Sequence, residues 1–443
     1  MEKIGMISLG CPKNQVDAEL MLAKLKDAGY EITDSLEGAD LVIINTCGFI
    51  DDAKTEAIET ILSVAELKKE GSVGKILVTG CLSQRYKSEV ICEMPEIDGI
   101  IGIGANGDIV SVVSDVLGGK KVSSFPPKSC LPIDGDRLLT TPSYFAYLKI
   151  AEGCSNCCTY CAIPHIRGTY RSRKMENIIE EARSLAKSGV KELVIVAQDI
   201  TKYGSDLYGE LMLAKLLKEL CKIDGIEWIR LLYCYPDSIT DELLDTIADE
   251  EKICNYIDLP LQHADKDVLK RMNRIGSEEE LLALIEKIRN KIPDVIIRTT
   301  FITGFPGETE ENFETLSRFV NEAQFDRLGC FAYSPEDGTL AAKMENQIDD
   351  EVKKHRAELI MQQQYEIFSR KQEERIGRIY KVLVDGYDED DMLYYGRTYM
   401  DCAEIDSRVI ISTEDELVSG SFINVKIIGV DECDLVGEAV LDV

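Results

Sequence analysis

Four cysteines lie within eight residues of one another in the segment CSNCCTYC. Cys154, Cys158 and Cys161 have the spacing Cys-x3-Cys-x2-Cys, whereas Cys157 does not fit it and is interpreted as a bystander. Three thiolates at this spacing can hold three irons of a four-iron, four-sulfur cube and leave the fourth iron open for another ligand. Zinc is the competing metal, but it needs a fourth ligand nearby, for which His165 is the only candidate.

A second set of three cysteines, Cys11, Cys47 and Cys81, lies closer to the N-terminus. Each cysteine follows a short apolar run by one or two residues. Because the loops after the strands of an open α/β sheet gather at one edge, these three side chains are expected to converge there. Three thiolates are one short of a closed zinc site but suit an iron–sulfur cluster with an open iron. Chance placement of three buried cysteines is the alternative.

Composition limits the partners and the compartment. The 443 residues include 15 cysteines and begin without a signal peptide, so a disulfide framework is improbable and a cytoplasmic location is expected. The sequence has no apolar run of about 18 residues, the length needed to cross a bilayer. Lys and Arg number 50 against 80 Asp and Glu, a net charge of −30. This charge disfavours nucleic-acid binding as the main role and favours a basic protein partner, although acidity could equally serve solubility.

The elements that must position the N-terminal cysteines form a first predicted domain. Short apolar runs at 3–9, 40–45 and 75–79, each followed by a helix-like stretch, predict a doubly wound α/β domain with a parallel sheet over residues 1–118. Residues 119–143 are rich in Pro, Gly and Ser and are interpreted as a linker.

A second series of strands and helices is expected over residues 144–374. Its six βα units are two short of a TIM barrel, so a partial barrel is predicted, with its chemistry at the C-terminal ends of the strands. The expected strands are 144–150, 192–197, 228–234, 256–262, 295–302 and 327–333. A polar helix is expected over 349–374, and residues 375–443 predict a small all-β module, a barrel or a sandwich.

The Cys-x3-Cys-x2-Cys motif, with an aromatic residue before its last cysteine, resembles that of the radical S-adenosylmethionine (SAM) enzymes. The order of a three-cysteine α/β domain, this barrel and a β-module resembles their methylthiotransferase branch over essentially the full length. Cys11, Cys47 and Cys81, in LGCPKN, NTCGFI and TGCLSQ, match the ligands of that branch's second cluster. The resemblance therefore implies two four-iron, four-sulfur clusters, SAM bound at the first of them, and a C-terminal TRAM-like domain.

The same resemblance suggests where SAM lies. Tyr160 would pack near the adenine, and Gln198, in QDITKYG, occupies the place of the SAM-contacting strand end. Residues 298–308 resemble the family's fifth-strand segment, whose glycines could let the backbone approach a cofactor. Residues 163–174 hold four Lys or Arg and no acid. An anion is expected beside them, either the SAM carboxylate, a substrate carboxylate or RNA phosphate, unless the stretch is a solvated loop that balances nearby acids.

Two features choose between the substrates of this branch. Pro-Lys-Asn after Cys11, together with segment 396–406, resembles the RimO type, which modifies ribosomal protein uS12, whereas the tRNA-modifying MiaB type usually has Gln-Met-Asn. Residues 377–443 carry 16 acidic and 5 basic side chains, a net charge of −11 that suits a basic ribosomal protein better than RNA.

The reaction implied by the resemblance is methylthiolation of the β-carbon of an aspartate in uS12, which gives 3-methylthioaspartate. Removing a hydrogen from an unactivated carbon is beyond any side-chain acid or base, so the cofactors must supply this chemistry. An electron donor and a sulfur source are then required as partners. A tRNA adenosine methylthiotransferase and a non-enzymatic iron–sulfur carrier that binds no SAM are the alternative functions.

Overall fold

The first part of the chain forms a parallel sheet with helices on both faces. The structure is a computed structural model and describes residues 1–390 and 392–440. The first strands are β1 (Lys3–Ser8), β2 (Glu31–Thr33), β3 (Ala39–Thr46), β4 (Val73–Gly80), β5 (Gly99–Ile101) and β6 (Val122–Ser124). The first helices are α1 (Pro12–Asp27), α2 (Asp51–Lys69), α3 (Cys81–Arg85), α4 (Lys87–Glu93) and α5 (Ile109–Leu117).

The sheet has the order β2-β1-β3-β4-β5-β6, and all its neighbouring strands are parallel. One apolar core joins α1 and α5 to one face, and another joins α2 and α4 to the opposite face. The prediction of a doubly wound domain is therefore confirmed. β3 and β4 are buried along most of their length because both faces of a parallel sheet are covered. β6 lies inside the stretch 119–143 that was expected to be a linker.

The central part of the chain forms a second parallel sheet. The strands of this central part are β7 (Phe145–Lys149), β8 (Ala151–Glu152), β9 (Arg171–Ser172), β10 (Glu192–Val196), β11 (Trp228–Leu231), β12 (Ile253–Asp258), β13 (Ile296–Thr303) and β14 (Arg327–Ala332). Its helices are α6 (Ile163–Arg167), α7 (Met175–Lys187), α8 (Leu213–Cys221), α9 (Asp241–Asp249), α10 (Lys266–Arg271), α11 (Glu278–Lys291), α12 (Glu310–Ala323) and α13 (Asp350–Glu373). Four short 3-10 helices lie at Ile103–Asp108, Lys128–Cys130, Pro236–Ser238 and Ala341–Lys343 in the described chain.

Six of these strands have the order β14-β13-β12-β11-β10-β7 and form the open barrel wall that was predicted. β8 and β9 make a separate antiparallel pair. One boundary differs clearly from the prediction, because β12 begins and ends earlier than 256–262. Pro260 explains the end of the strand, since proline has no N–H to donate to a neighbouring strand.

The last part of the chain is a closed barrel with the strand order β15-β16-β17-β19-β18. Its strands are β15 (Ile379–Asp388), β16 (Leu393–Arg397), β17 (Val409–Ser412), β18 (Phe422–Asp431) and β19 (Asp434–Val440). The loop between β16 and β17 leaves this barrel, and its Met400 and Cys402 share an apolar core with Tyr147, Val194 and Tyr256 of the central wall. Residues 398–406 therefore fill part of the central barrel and are called the plug loop below.

Buried ion pairs fix this C-terminal module to the central wall. Glu192, fully buried, accepts from Arg230 Nε at 2.7 Å and from Arg397 Nη1 at 2.6 Å. Burial would raise the pKa of Glu192, but the two guanidinium groups outweigh it and lower that pKa. Arg327 Nη2 lies 2.6 Å from Asp401 Oδ1 in the plug loop.

Among the described helices, none combines the length and the apolarity that a membrane crossing requires.

Replacing Glu192→Gln is expected to destabilise the whole chain, because Arg230 then keeps a buried charge without a carboxylate partner among the described residues, and Arg397 keeps only its ion pair with Asp385. The expected loss is about 3–5 kcal/mol of unfolding free energy, measured by urea denaturation. Glu227→Gln is the matched control, because Glu227 also joins the central part to the C-terminal module, through Lys381 at 3.1 Å, but both side chains are about half exposed. Its loss should stay below about 1 kcal/mol. Equal losses in the two variants would contradict the role given to Glu192.

Candidate functional site

The three N-terminal cysteines meet at the C-terminal edge of the first sheet, as predicted. Cys11 is the N-cap residue of α1, Cys47 directly follows β3, and Cys81 is the first residue of α3 after β4. β1, β3 and β4 are adjacent strands, so their ends bring the three loops together. Gly80, at φ +100°, allows the direct turn from β4 into α3. The thiols are close enough for Cys11 to influence the pKa values of the other two.

Charge and burial act in opposite directions on these thiols. Burial alone would raise the pKa of Cys11, but the positive charges of Lys13 and Arg167 outweigh it and leave that pKa lowered. Burial raises the pKa of Cys47. Burial also raises the pKa of Cys81 to about 12, against the opposing charge of Arg167. Because metals bind the thiolate, both cations favour the form of these cysteines that can act as ligands.

The second set of cysteines lies in the loop that follows β8. Cys154 N–H donates to the carbonyl of Gly168 at 3.1 Å, and Cys161 N–H donates to the carbonyl of Cys158 at 3.1 Å. Burial raises the pKa of Cys154 to about 11 and that of Cys161 to about 12. Cys157 differs from its neighbours, since it is exposed and has a left-handed backbone, φ +54°.

The donor set of both groups fits iron–sulfur clusters better than single metal ions. Among the described residues, no three His, Cys, Asp or Glu side chains are arranged to hold one metal ion. A four-iron cube binds each cysteine through a different iron, so its ligand sulfurs need not point at one centre. His165, the only fourth ligand that the zinc interpretation offered, is exposed.

The two residues expected to contact SAM lie beside the second cysteine loop. Gln198 follows the end of β10 by two residues, and its Nε2 donates to Glu152 Oε1 at 3.2 Å. Its Oε1 is buried and has no hydrogen-bond partner, so it can accept from a bound ligand. The half-buried ring of Tyr160 packs on an apolar cluster that includes Phe305, and its hydroxyl lies 3.5 Å from Arg274 Nη1.

A buried ionic network, which the sequence did not reveal, joins the two cysteine sets. Arg167 is 1% exposed and donates to Asp17 Oδ2 at 2.8 Å, to Asn14 Oδ1 at 3.1 Å and to Glu152 Oε1 at 3.1 Å. Lys149 Nζ donates to Glu152 Oε2 at 2.9 Å and also to Asp17. Asn14 and Asp17 belong to α1, whereas the other three residues belong to the central part of the chain. We call these five residues the Arg167 network.

Two arginines of the basic stretch 163–174 form ion pairs with carboxylates of the chain itself. Arg167 meets the carboxylates just described, and Arg173 lies 2.6 Å from both Asp134 and Glu181. Both arginines are almost fully buried, so neither is part of a solvated loop. For these two residues, the expectation of a bound external anion is therefore wrong.

One glycine of residues 298–308 has a packing role that the sequence did not indicate. Gly304, at φ +72°, lies just after β13 and is so close to α13 that a Cβ atom there would overlap Lys353. Glu308 Oε2 accepts from the Gly304 N–H at 2.9 Å and holds this turn. Gly304 therefore allows a close approach to α13, and the expected approach of this segment to a cofactor stays a prediction.

Three protein-family models match the chain. The model of the Radical SAM superfamily matches residues 148–320, that of the uncharacterized protein family UPF0004 matches residues 3–102, and that of the TRAM domain matches residues 376–440. The C-terminal closed barrel thus coincides with the TRAM match.

Curated relatives match over the full chain. The protein is 52% identical over 439 residues to ribosomal protein uS12 methylthiotransferase RimO of Caldanaerobacter subterraneus subsp. tengcongensis, covering 99% of this chain and 100% of that protein. It is 50% identical over 443 residues to the protein of the same name from Clostridioides difficile, covering 100% of both chains.

Solved structures with much lower identity share the fold. The radical SAM methyltransferase TsrM from Kitasatospora setae, with cobalamin and a [4Fe-4S] cluster bound, has a TM-score of 0.58 at 14% identity and covers 77% of each chain. The cobalamin-dependent radical enzyme OxsB has a TM-score of 0.52 at 13% identity, covering 83% of this chain and 58% of its own.

Gly10→Ala is expected to remove the iron bound through Cys11, Cys47 and Cys81. The added Cβ would lie 2.6 Å from Cys47 Cβ and 2.8 Å from its Sγ, so Cys47 must move. Iron content after anaerobic reconstitution should fall by about half, because the other cysteine set is unchanged. Gly29→Ala is the matched control, since Gly29 has a similar φ, +92° against +86°, but no atom within 4 Å of the added Cβ. Equal iron contents would contradict the assignment of Cys47 as a ligand.

Proposed function

The chain belongs to the family of ribosomal protein uS12 methylthiotransferases, and from this premise we propose that it attaches a methylthio group to the β-carbon of an aspartate in uS12, giving 3-methylthioaspartate. The protein is a radical SAM enzyme with two four-iron, four-sulfur clusters. The observation that carries the proposal is the position of the two cysteine sets, which lie on either side of the Arg167 network. Two iron–sulfur sites held this way can act on one substrate group.

Each cofactor is assigned to residues by the chemistry of their side chains. Cys154, Cys158 and Cys161 hold the cluster at which SAM binds, and Gln198 and Tyr160 contact SAM. Its unpaired Oε1 makes Gln198 a hydrogen-bond acceptor for the cofactor. Cys11, Cys47 and Cys81 hold the second cluster. Bound in these places, the cofactors supply the radical and sulfur chemistry that side chains lack.

The chain's own side chains hold and shield these groups. Arg167 stabilises negative charge on the N-terminal cysteines while its carboxylate partners fix its position. Tyr235 places its hydroxyl 3.5 Å from Cys158 Sγ, where it can donate to a ligating sulfur. Arg274 lies 4.2 Å from the ring centroid of Tyr235 and keeps that ring in place.

Charge supports a basic protein as the substrate. The chain carries a net charge of −30, which attracts a basic ribosomal protein and repels RNA. We place the enzyme in the cytoplasm with its ribosomal substrate, where an electron donor and a sulfur source must reach it. Residues 1–118, 144–374 and 375–443 act as its three domains, and β6 extends the first of them into the stretch 119–143.

The test is mass spectrometry of uS12 incubated with the reconstituted enzyme, SAM and a reductant. One aspartate is expected to gain the mass of a methylthio group with the wild-type enzyme and with Cys157→Ala. Cys158→Ala is expected to give no product and to hold about half the iron. Cys157 is the matched control because it is the exposed neighbour in the same loop. Modification of tRNA with uS12 unchanged would overturn the substrate, and product from Cys158→Ala would overturn the ligand assignment.

A further inference from the structure

Lys13 is a buried cation that no carboxylate of the described residues neutralises. It is 6% exposed, and its Nζ lies 3.3 Å from the ring centroid of Tyr233. The charged and polar groups that act on it are Tyr233, Cys11 and the like charge of Arg167. A buried ammonium is normally compensated by an ion pair because desolvation is costly, so the environment of Lys13 is incomplete.

The other buried lysines of the described chain show the usual arrangement. Lys149 is held by Asp17 and Glu152, and Lys353 Nζ lies 2.7 Å from Asp350 Oδ1. This chain has 80 acidic residues, so the lack of a carboxylate beside Lys13 does not reflect a shortage of acids. Lys13 thus differs from the other two buried lysines because no carboxylate of the described residues occupies the side of its ammonium group, which can therefore bind another anion.

The ammonium group of Lys13 lies between the two candidate cluster sites. Lys13 is the second residue of α1 and follows Cys11 by two residues. Tyr233 follows β11 by two residues, at the C-terminal ends of the strands of the central wall. Its backbone has a left-handed φ of +65° and donates from N–H to Asp258 Oδ2 at 2.8 Å. That carboxylate is already bound to Arg298 Nη1 at 2.8 Å, so it is not available to Lys13.

We propose that Lys13 binds the side-chain carboxylate of the substrate aspartate and is therefore a specificity-determining residue. This inference rests on the proposed function, in which an aspartate is modified at its β-carbon. The carboxylate is bonded to that carbon and is not consumed. An ammonium that holds it selects aspartate over neutral side chains and fixes the β-carbon between the two cofactor sites. The Tyr233 ring below Nζ orients the ammonium.

The competing role for Lys13 is compensation of the Cys11 thiolate alone. Binding measurements separate the two roles because only the first depends on the substrate carboxylate. Lys13→Met keeps the length and apolar stem of the side chain and removes its charge. Lys26→Met removes the same charge from an exposed position of the same helix and serves as the control.

The experiment measures the affinity of the reconstituted enzyme, with SAM and without reductant, for uS12 and for uS12 with Asp→Asn at the modified position. Wild type and Lys26→Met are expected to bind the aspartate form about tenfold more tightly than the asparagine form. Lys13→Met is expected to bind both forms alike, with an affinity near that of wild type for the asparagine form. Its iron content should be unchanged. The reduction potential of the cluster at Cys11, read by electron paramagnetic resonance titration, should become more negative because Lys13 no longer compensates that thiolate, but this change is the same for both forms of uS12.

The inference is overturned if Lys13→Met still prefers the aspartate form. It is also overturned if the variant loses both that preference and iron, because the lost preference then follows from a damaged cluster site. Failure of the proposed function gives a different result, since uS12 then carries no modified aspartate with any variant. If wild type modifies uS12 and prefers the aspartate form, only the behaviour of Lys13→Met decides the inference.

Discussion

Arg167 is a full positive charge held out of water, and its neighbours are the carboxylates of Asp17 and Glu152 and the amide of Asn14. In an interior of low dielectric, such a charge is tolerated only while these partners keep their geometry. Asp17 and Asn14 belong to the first sheet domain, and Glu152 leads directly into the Cys154 loop. The two cysteine sets therefore cannot move apart without leaving buried charges uncompensated.

A second group of contacts joins the same two domains at another place. Arg85, the last residue of the short helix α3 that begins at Cys81, lies 2.9 Å from Glu336 Oε2, and the Tyr86 hydroxyl lies 3.1 Å from Asp337 Oδ2. Both acids follow β14 of the central wall. The space between the sheet edge and the barrel is thus bounded by ionic contacts on two sides, which favours a fixed distance between the cofactor sites. Fixed distance is what group transfer between two separately bound cofactors requires.

The sequence was informative where local pattern determines the structure. Short apolar runs end one or two residues before Cys11, Cys47 and Cys81, so parallel topology alone brings these residues together. β2, β5 and β6 have three residues each, too few for a periodic pattern, and were missed. The partners of Arg167 were missed for another reason. Asp17 lies 150 residues away, and no local rule links a basic stretch to an acid so distant.

The plug loop has a consequence for how the chain folds as it is made. The Tyr147 hydroxyl donates to Glu404, 257 residues later, and Met400 and Cys402 complete the core around the central strands. During synthesis, which proceeds from the N-terminus, the wall strands leave the ribosome long before the segment that fills them. The nascent barrel must therefore keep an apolar surface exposed until almost the whole chain has been translated. A chain stalled before the plug loop is a natural target for chaperones and proteases, even though all six candidate cluster ligands have already been made.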